Sequence, residues 1–334
     1  MALDLFTVRS IKSCHLLEMN KVPIVFAFDN NMVMPACVCI SSLLMNAKQD
    51  TVYDIFVLYP ITQELSRDGF ELLDKSFPNS CFTFIGVEED LFSGAFEIRG
   101  INALTYYRLL IPELIPQYAK VLYSDVDVIF RCDLSDVYYN TNMEGCYIAG
   151  VNSLSHLHKD RAPYYRDRIG IDPAKVVYAG NLIINSELMR ADGVVKKMLS
   201  MIKDKYQFQD LDILNIVCSG KIKYLPPFFC LTTDISEYAS MDREKILGIW
   251  SEDEIYHAMH AGIVHYNGKK PWKGVCINFD IWWEYYRMSL FFNERDYFRF
   301  FKNRLEELDS LSLWKRIKVL LRYFVYGRRT YCKS

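Results

Sequence analysis

The sequence predicts an α/β fold in which a mainly parallel sheet is covered by helices and carries its ligand at the carboxyl ends of the strands. Three observations predict it. Short apolar runs alternate with helix-like stretches along the N-terminal part of the chain. A pair of aspartates stands at the exit of one of those runs. Finally, 51% of the 334 residues are hydrophobic and the net charge is only −2, which suits a large buried core.

The elements follow in order. Val22-Pro-Ile-Val-Phe-Ala-Phe28 is a buried strand that stops at the polar Asp29-Asn-Asn31. Residues 34–47 are expected to be a helix through Val38, Leu43, Leu44 and Ala47, and Tyr53-Asp-Ile-Phe-Val-Leu-Tyr59 is a second strand. A second helix is expected over 62–76 through Leu65, Phe70, Leu72 and Leu73, before the strand Cys81-Phe-Thr-Phe-Ile85. This βαβαβ order implies a parallel sheet. A helix over 104–114 leads to a strand at 120–123, with further strands at 146–151 and 182–184 and helices at 187–203 and 210–218. Residues 152–176 are polar and charged, with His158, Tyr164 and Tyr165, and read as a flexible flap. From Phe279 onward the pattern becomes aromatic and basic, which puts a boundary near 275.

Composition excludes several classes. The balanced charge lacks the basic footprint that nucleic acid requires, so no nucleic-acid partner is expected. The stretch Met1-Ala-Leu-Asp-Leu-Phe-Thr-Val-Arg-Ser10 has no basic region followed by an apolar run, so no secretory signal is read there. No segment approaches 18 uncharged apolar residues. The ten cysteines lack Cys-x-x-Cys pairs, and several, Cys81 and Cys146 among them, lie between apolar neighbours; they are expected to be free thiols in a reduced compartment.

Lys120-Val-Leu-Tyr-Ser-Asp-Val-Asp-Val-Ile-Phe130 holds the aspartate pair. Alternate strand residues point the same way about 6.6 Å apart. Asp125 and Asp127 can therefore close on one hard cation at about 2.1 Å per oxygen. The bland reading is a turn, where Asp is favoured for local hydrogen bonding. His265-Tyr-Asn-Gly-Lys-Lys-Pro-Trp272 is a second polar set: His265 can ligate a metal, Gly268 admits a ligand close to the backbone, and Lys270 can neutralise phosphate. By itself His265 is an ordinary core histidine. Asp29, Arg108, Asp210 and Asp212 have bland readings too, as helix caps, first-turn acids or half of an ion pair.

Taken in order, Val25-Phe-Ala-Phe-Asp-Asn-Asn31, Thr105-Tyr-Tyr-Arg-Leu109, Val121-Leu-Tyr-Ser-Asp-Val-Asp127, Ala179-Gly-Asn-Leu-Ile-Ile-Asn185, Gln209-Asp-Leu-Asp-Ile-Leu-Asn215 and the His265 segment resemble glycosyltransferase family 8. That family includes bacterial lipopolysaccharide galactosyl- and glucosyltransferases and glycogenins. The resemblance covers residues 22–290. It implies a GT-A fold, Rossmann-like, over residues 21–275, with an N-terminal extension at 1–20 and a helical extension at 276–334. The implied donor is UDP-glucose or UDP-galactose, the implied metal Mn²⁺ or Mg²⁺, and the implied transfer is retaining, to a glycan or glycolipid acceptor.

Residue by residue, the resemblance implies Asp125, Asp127 and His265 as metal ligands. Asp125 and Val126 also match donor-binding positions, as do Ala27, Asp29 and Asn31 for uridine and Gly268 and Lys270 for the diphosphate. Arg108 and Asp210 match the pair around the donor sugar, with Gly180 and Asn181 beside it. Three positions differ from the family pattern. Leu211 stands where many relatives have Gln, so the catalytic set implied is Asp210, Asp212 and Arg108, with same-face attack favoured over a covalent intermediate on Asp212. The amide follows the glycine in Tyr178-Ala-Gly-Asn181 instead of preceding it. The His265 motif is one residue short, which leaves Lys269 and Lys270 both open as the phosphate contact.

After Asp309 no acidic residue occurs, whereas Lys315, Arg316, Lys318, Arg322, Arg328, Arg329 and Lys333 are interleaved with apolar positions at helical spacing. Such a helix suits an anionic membrane surface, or else packs its apolar stripe on the main domain. The expected place is the cytoplasmic face of a bacterial inner membrane, in lipopolysaccharide or capsule synthesis. Two other readings stand beside it: a nucleotide-sugar-binding protein impaired in transfer, and a metal-dependent nucleotidyltransferase, for which no Gly-rich phosphate loop is present.

Overall fold

The computed structural model describes residues 6–10, 21–97, 103–241, 243–306 and 311–326. Eleven strands are present among them: β1 (Phe6–Ser10), β2 (Lys21–Ala27), β3 (Val52–Pro60), β4 (Ser80–Val87), β5 (Val121–Ser124), β6 (Val128–Ile129), β7 (Ile148–Gly150), β8 (Asn181–Ile184), β9 (Ile222–Tyr224), β10 (Leu231–Thr232) and β11 (Val264–His265). The main sheet runs β1-β4-β3-β2-β5-β8-β7-β9, and β10-β11-β6 form a small second sheet. Strands β4, β3, β2 and β5 are mutually parallel, as the βαβαβ pattern predicts. β8 returns antiparallel to β5, and β1 closes the far edge antiparallel to β4.

Period-two alternation sorts the strand residues between two cores. Ile24, Phe26, Ile55, Val57, Phe82 and Phe84 face one, with helices α1 (Val33–Met45) and α2 (Asp68–Ser76). Val25, Phe56, Leu58, Ile85, Tyr123 and Ile184 face the other, together with Tyr106 and Leu109 and the helix Asp210–Val217. These strands carry apolar residues on both faces because helices cover both.

Several expectations change in detail. The helix expected over 62–76 begins only at Asp68. The segment around Arg108 is a 3₁₀ helix, Ala103–Leu110, capped by the short turn Ile111–Leu114, because Pro112 removes a backbone donor inside any longer α-helix. Residues 187–203 divide into Ser186–Ala191 and Val194–Ser200 at Gly193, whose φ of 63° reverses the chain. Residues 152–176 are a packed cover: the 3₁₀ turn Leu154–Leu157, the π-helical turn Tyr164–Ile169 and the 3₁₀ turn Pro173–Lys175 follow one another, and Tyr165 is fully buried. Tyr164 and Tyr165 anchor that segment through their hydroxyls on Asp212, a contact that the sequence, which shows both tyrosines, does not reveal.

Cys81 is disulfide-bonded, which corrects its reading as a free thiol. Spacing along the chain carries no information about which sulfurs meet in space. Cys37, Cys39, Cys132, Cys146, Cys218, Cys230 and Cys276 are free. Among the C-terminal helices, Phe279–Met288 buries Trp282, Trp283 and Tyr286 in the first core, whereas Glu294–Glu306 buries no residue fully. Leu313–Tyr326 follows with Trp314 and Phe324 about four-fifths exposed, at 80% and 79%. Arg328, Arg329, Lys333, Cys14 and Cys332 lie outside the described residues.

Candidate active site

Two strand pairings build the site. Antiparallel β5 and β8 place Ser124 opposite Asn181, and the amide of Asp125 donates to the Gly180 carbonyl at 2.8 Å. Antiparallel β6 and β11 place Val128 opposite His265, and the amide of Tyr266 donates to the Asp127 carbonyl at 2.9 Å. Asp125, Asp127 and His265 therefore converge beyond the carboxyl end of β5.

His265 is 1% exposed, and its Nε2 lies 3.2 Å from an Asp127 oxygen and 3.6 Å from an Asp125 oxygen. One ligand atom from each of the three residues falls within 4.8 Å of the others. Although buried, Nε2 has no aligned hydrogen bond. Its opposite nitrogen, Nδ1, is 2.8 Å from Asn181 Oδ1. An imidazole nitrogen held by the far side of its ring and aimed at two carboxylates fits a divalent cation, and one imidazole with two carboxylates suits Mn²⁺ or Mg²⁺.

Electrostatics favour an ionised Asp127. Burial alone pushes the Asp127 carboxyl up, but His265 and Lys270 outweigh it and leave it well below the usual carboxylate range. Lys270 Nζ is paired with Asp127 and also donates to the Tyr266 carbonyl at 2.7 Å. Lys270 is thus the lysine at the carboxylates, while Lys269 and Gly268 are exposed in the turn before it.

Arg108 is a buried clamp. Its Nη2 meets Asp125 Oδ1 at 3.0 Å and its Nε lies 3.1 Å from Asp210 Oδ2, while Nη1 donates to the Ala179 carbonyl at 2.6 Å. Its guanidinium lies 4.6 Å over the Tyr123 ring, and the Tyr123 hydroxyl donates to the same Asp125 oxygen at 2.7 Å. Burial pushes the Asp210 carboxyl up to about 6; Arg108 pulls it down and Asp125 raises it. Gln209, just before it, has φ 48° and ψ −118°, a conformation that costs a non-glycine residue about 1–3 kcal/mol. Its Nε2 donates to the Phe96 carbonyl at 2.8 Å, which holds the strained turn that presents Asp210.

The remaining expected residues are placed as follows. Asp29 accepts from the Asn31 amide and from its side chain, each at 3.0 Å, so it caps the turn after β2 on the same carboxyl edge as Asp125, with Ala27 half-buried beside it. Val126 is buried in the core between the two aspartates. Leu211 is half-buried against the second core. Asp212 is fully buried, and both its oxygens are engaged: Oδ1 by the Tyr165 hydroxyl at 2.6 Å, Oδ2 by the Tyr164 hydroxyl at 2.7 Å and by the Phe208 amide at 2.9 Å. Burial still pushes its carboxyl up. Ser124, Tyr123, Tyr178 and Cys230 border the ligand set without having been singled out. Tyr123 is close to Asp125 in sequence, within the motif that holds the aspartates; Cys230 had no local signal.

A family model described as Glycosyl transferase family 8 matches residues 23–276. The chain belongs to that family. A putative glycosyltransferase of Haemophilus influenzae is 26% identical over 213 residues, which are 63% of each chain, so this chain spans just under two thirds of that relative's length. The lipopolysaccharide 1,3-galactosyltransferase of Salmonella typhimurium is 23% identical over 269 residues, 76% of this chain and 74% of that one. Among solved structures, the galactosyltransferase LgtC, determined with donor and acceptor sugar analogues, superposes with a TM-score of 0.65 at 26% identity, covering 82% of this chain and 98% of that one. The chain thus has the GT-A fold, and its Asp125, Asp127 and His265 cluster is one that could bind a metal.

Proposed function

We propose that this family 8 transferase moves a hexose, glucose or galactose, from a UDP-sugar to a glycan or glycolipid acceptor, with Mn²⁺ or Mg²⁺ held by Asp125, Asp127 and His265. The observation that carries this reading is the buried Nε2 of His265, 3.2 Å from an Asp127 oxygen and 3.6 Å from an Asp125 oxygen at the carboxyl end of a parallel sheet. A cation held there by Asp125, Asp127 and His265 would supply charge for the diphosphate leaving group. Lys270, already on Asp127, adds a second positive charge at the same edge, and preorganised charge of this kind is often the largest catalytic contribution. Asp29 and Asn31 on the β2 edge are assigned to the uridine, with Ala27 beneath it. Gly268 leaves the backbone open to the diphosphate, since nothing lies within 4 Å of a Cβ built there.

Arg108 and Asp210 are assigned to the donor sugar. Retention by same-face attack of the acceptor hydroxyl is favoured, because Leu211 carries no nucleophile and the oxygens of Asp212 are taken up by two tyrosines and an amide. The cover formed by residues 152–176 is assigned to the acceptor side. The exposed apolar residues Trp314, Leu320, Leu321 and Phe324, next to Lys315, Arg316 and Lys318, support a membrane-surface role for the last helix. No helix of the described residues is long and apolar enough to cross a membrane. The kinship with the lipopolysaccharide galactosyltransferase supports bacterial surface-glycan synthesis as the setting.

The experiment is UDP release from UDP-glucose and UDP-galactose, with Mn²⁺ or EDTA, over an acceptor panel read by mass spectrometry. Metal-dependent transfer that disappears in Asp127→Asn, with the fold retained, is expected. Full activity of Asp127→Asn removes that residue from the ligand set, and donor binding without turnover across the panel replaces the enzyme reading with a binding protein.

A further inference from the structure

Asn181 lies where the family resemblance implies a donor-sugar contact, yet its amide is spent elsewhere. Ser124, Asn181 and His265 form a chain of hydrogen bonds across three strands, and each member is 1% exposed. Water is therefore excluded from the chain, and its polarity must be settled by the protein groups themselves.

That polarity starts at Ser124. Its hydroxyl donates to the Asp125 carbonyl at 2.8 Å, so toward Asn181 the oxygen can only accept, and the Asn181 Nδ2 donates to it at 3.1 Å. The amide is thereby oriented with Oδ1 toward His265 Nδ1, 2.8 Å away. A carbonyl oxygen has no proton to give. Were Nδ1 unprotonated, two lone pairs would face each other at that distance. Cys230 Sγ, 3.7 Å from the same nitrogen, is a second and weaker acceptor for its proton.

We propose that Asn181 is a positioning residue that keeps a proton on Nδ1 of His265, so that Nε2 is the ring nitrogen presented between Asp125 and Asp127 to a metal. The inference rests on the reading of His265 as a metal ligand and goes one shell outward from it. It also accounts for an amide that follows the glycine in Tyr178-Ala-Gly-Asn181: the residue after Gly180 is the one whose strand register with Ser124 brings it to the imidazole. Partners of this kind fix ring orientation and typically change metal affinity by about 10- to 100-fold.

The test has two readouts that do not involve turnover. In metal-free protein, ¹⁵N spectra of the histidine rings, assigned through His265→Gln, should show a proton on Nδ1 of His265; a ring protonated on Nε2 alone overturns the proposal. Mn²⁺ affinity, followed by the electron paramagnetic resonance of free Mn²⁺, should weaken about 10- to 100-fold in Asn181→Leu and recover in Asn181→Asp, which keeps an acceptor oxygen. Asn181→Leu that binds Mn²⁺ as tightly as wild type overturns the inference and leaves the metal reading standing. Wild-type protein that binds no Mn²⁺ overturns the metal reading itself. Should Asn181→Leu not fold, Ser124→Ala frees the amide to turn; weaker Mn²⁺ binding supports the relay, and unchanged affinity together with an unchanged tautomer overturns it.

Discussion

Gly180 and His265 are packed so closely that a Cβ on residue 180 would stand 2.1 Å from Cε1 of the imidazole, and 2.7 Å from both an Asp125 oxygen and the Tyr178 ring. The ring cannot retreat, since Asn181 holds its other side. Gly180→Ala is therefore expected to displace His265 and abolish tight Mn²⁺ binding, with overpacking costing about 1–3 kcal/mol of stability. Metal titration beside a thermal melt checks this. Unaltered Mn²⁺ affinity would show that the ring has room the structure does not.

Asp210 is expected to trade stability for function. Its folded carboxyl sits at about 6 against an ordinary 3.8, so the folded protein holds the extra proton between those values. Its contribution to stability is whole below 3.8 and is lost as pH rises through 6. Asp210→Asn should melt at or above the wild-type temperature at pH 7.5 while turnover falls at least tenfold. A lower melting temperature with normal turnover would contradict both parts.

Asp212 is expected to hold the 152–176 cover and not to carry a sugar. Tyr165→Phe leaves a buried carboxylate oxygen without its donor, at a cost of about 1–3 kcal/mol, and should speed proteolysis within 152–176. Mass spectrometry of enzyme quenched during turnover should find no hexose on residue 212. An adduct there would restore the covalent route.

His156, in the same cover, is 2% exposed against Tyr165 and Phe208. Burial, helped by Arg161, lowers its pKa from 6.5 to about 3. Between those values the unfolded chain takes a proton that the folded chain refuses. This contribution is therefore whole above 6.5 and declines as pH falls toward 3, by about 1.4 kcal/mol for each step of one in pH. Wild type should lose melting temperature between pH 7 and 4.5 more steeply than His156→Phe. Parallel slopes would assign the acid sensitivity to other groups.

The last helix is expected to carry the protein onto anionic vesicles. Liposome flotation of the full chain, compared with a form ending at Asp309, should show loss of flotation in the shorter form and in high salt. Equal flotation of the two forms would sink the idea.

Local pattern made much of the fold legible. The strands of the βαβαβ half follow from apolar runs bounded by polar residues, but Asp125 and Asp127 do not alternate along one strand: they stand in the bend between β5 and β6, the turn that their residue type also allowed. The flanking 3₁₀ segment at Arg108, the split at Gly193 and the packed cover were not legible, because a proline, a left-handed glycine and aromatic anchoring decide them one residue at a time. Ordered motifs pointed to Asp125, Asp127 and His265, whereas the contact between Asn181 and His265 was not legible, since the two lie 84 residues apart.

By itself the sequence determined the parallel half of the α/β scaffold and the family, which rest on short-range periodicity and motif order, and it pointed to Asp125, Asp127 and His265 as residues that could hold a metal. Only the tertiary structure decided that Arg108 bridges Asp125 and Asp210, that Asp212 is tied up by Tyr164 and Tyr165, and that Asn181 faces the imidazole. Those relations depend on strand register and on the orientation of buried amides and rings. They are settled by which hydrogen-bond partners remain once water is excluded, and that is known only after distant strands have met.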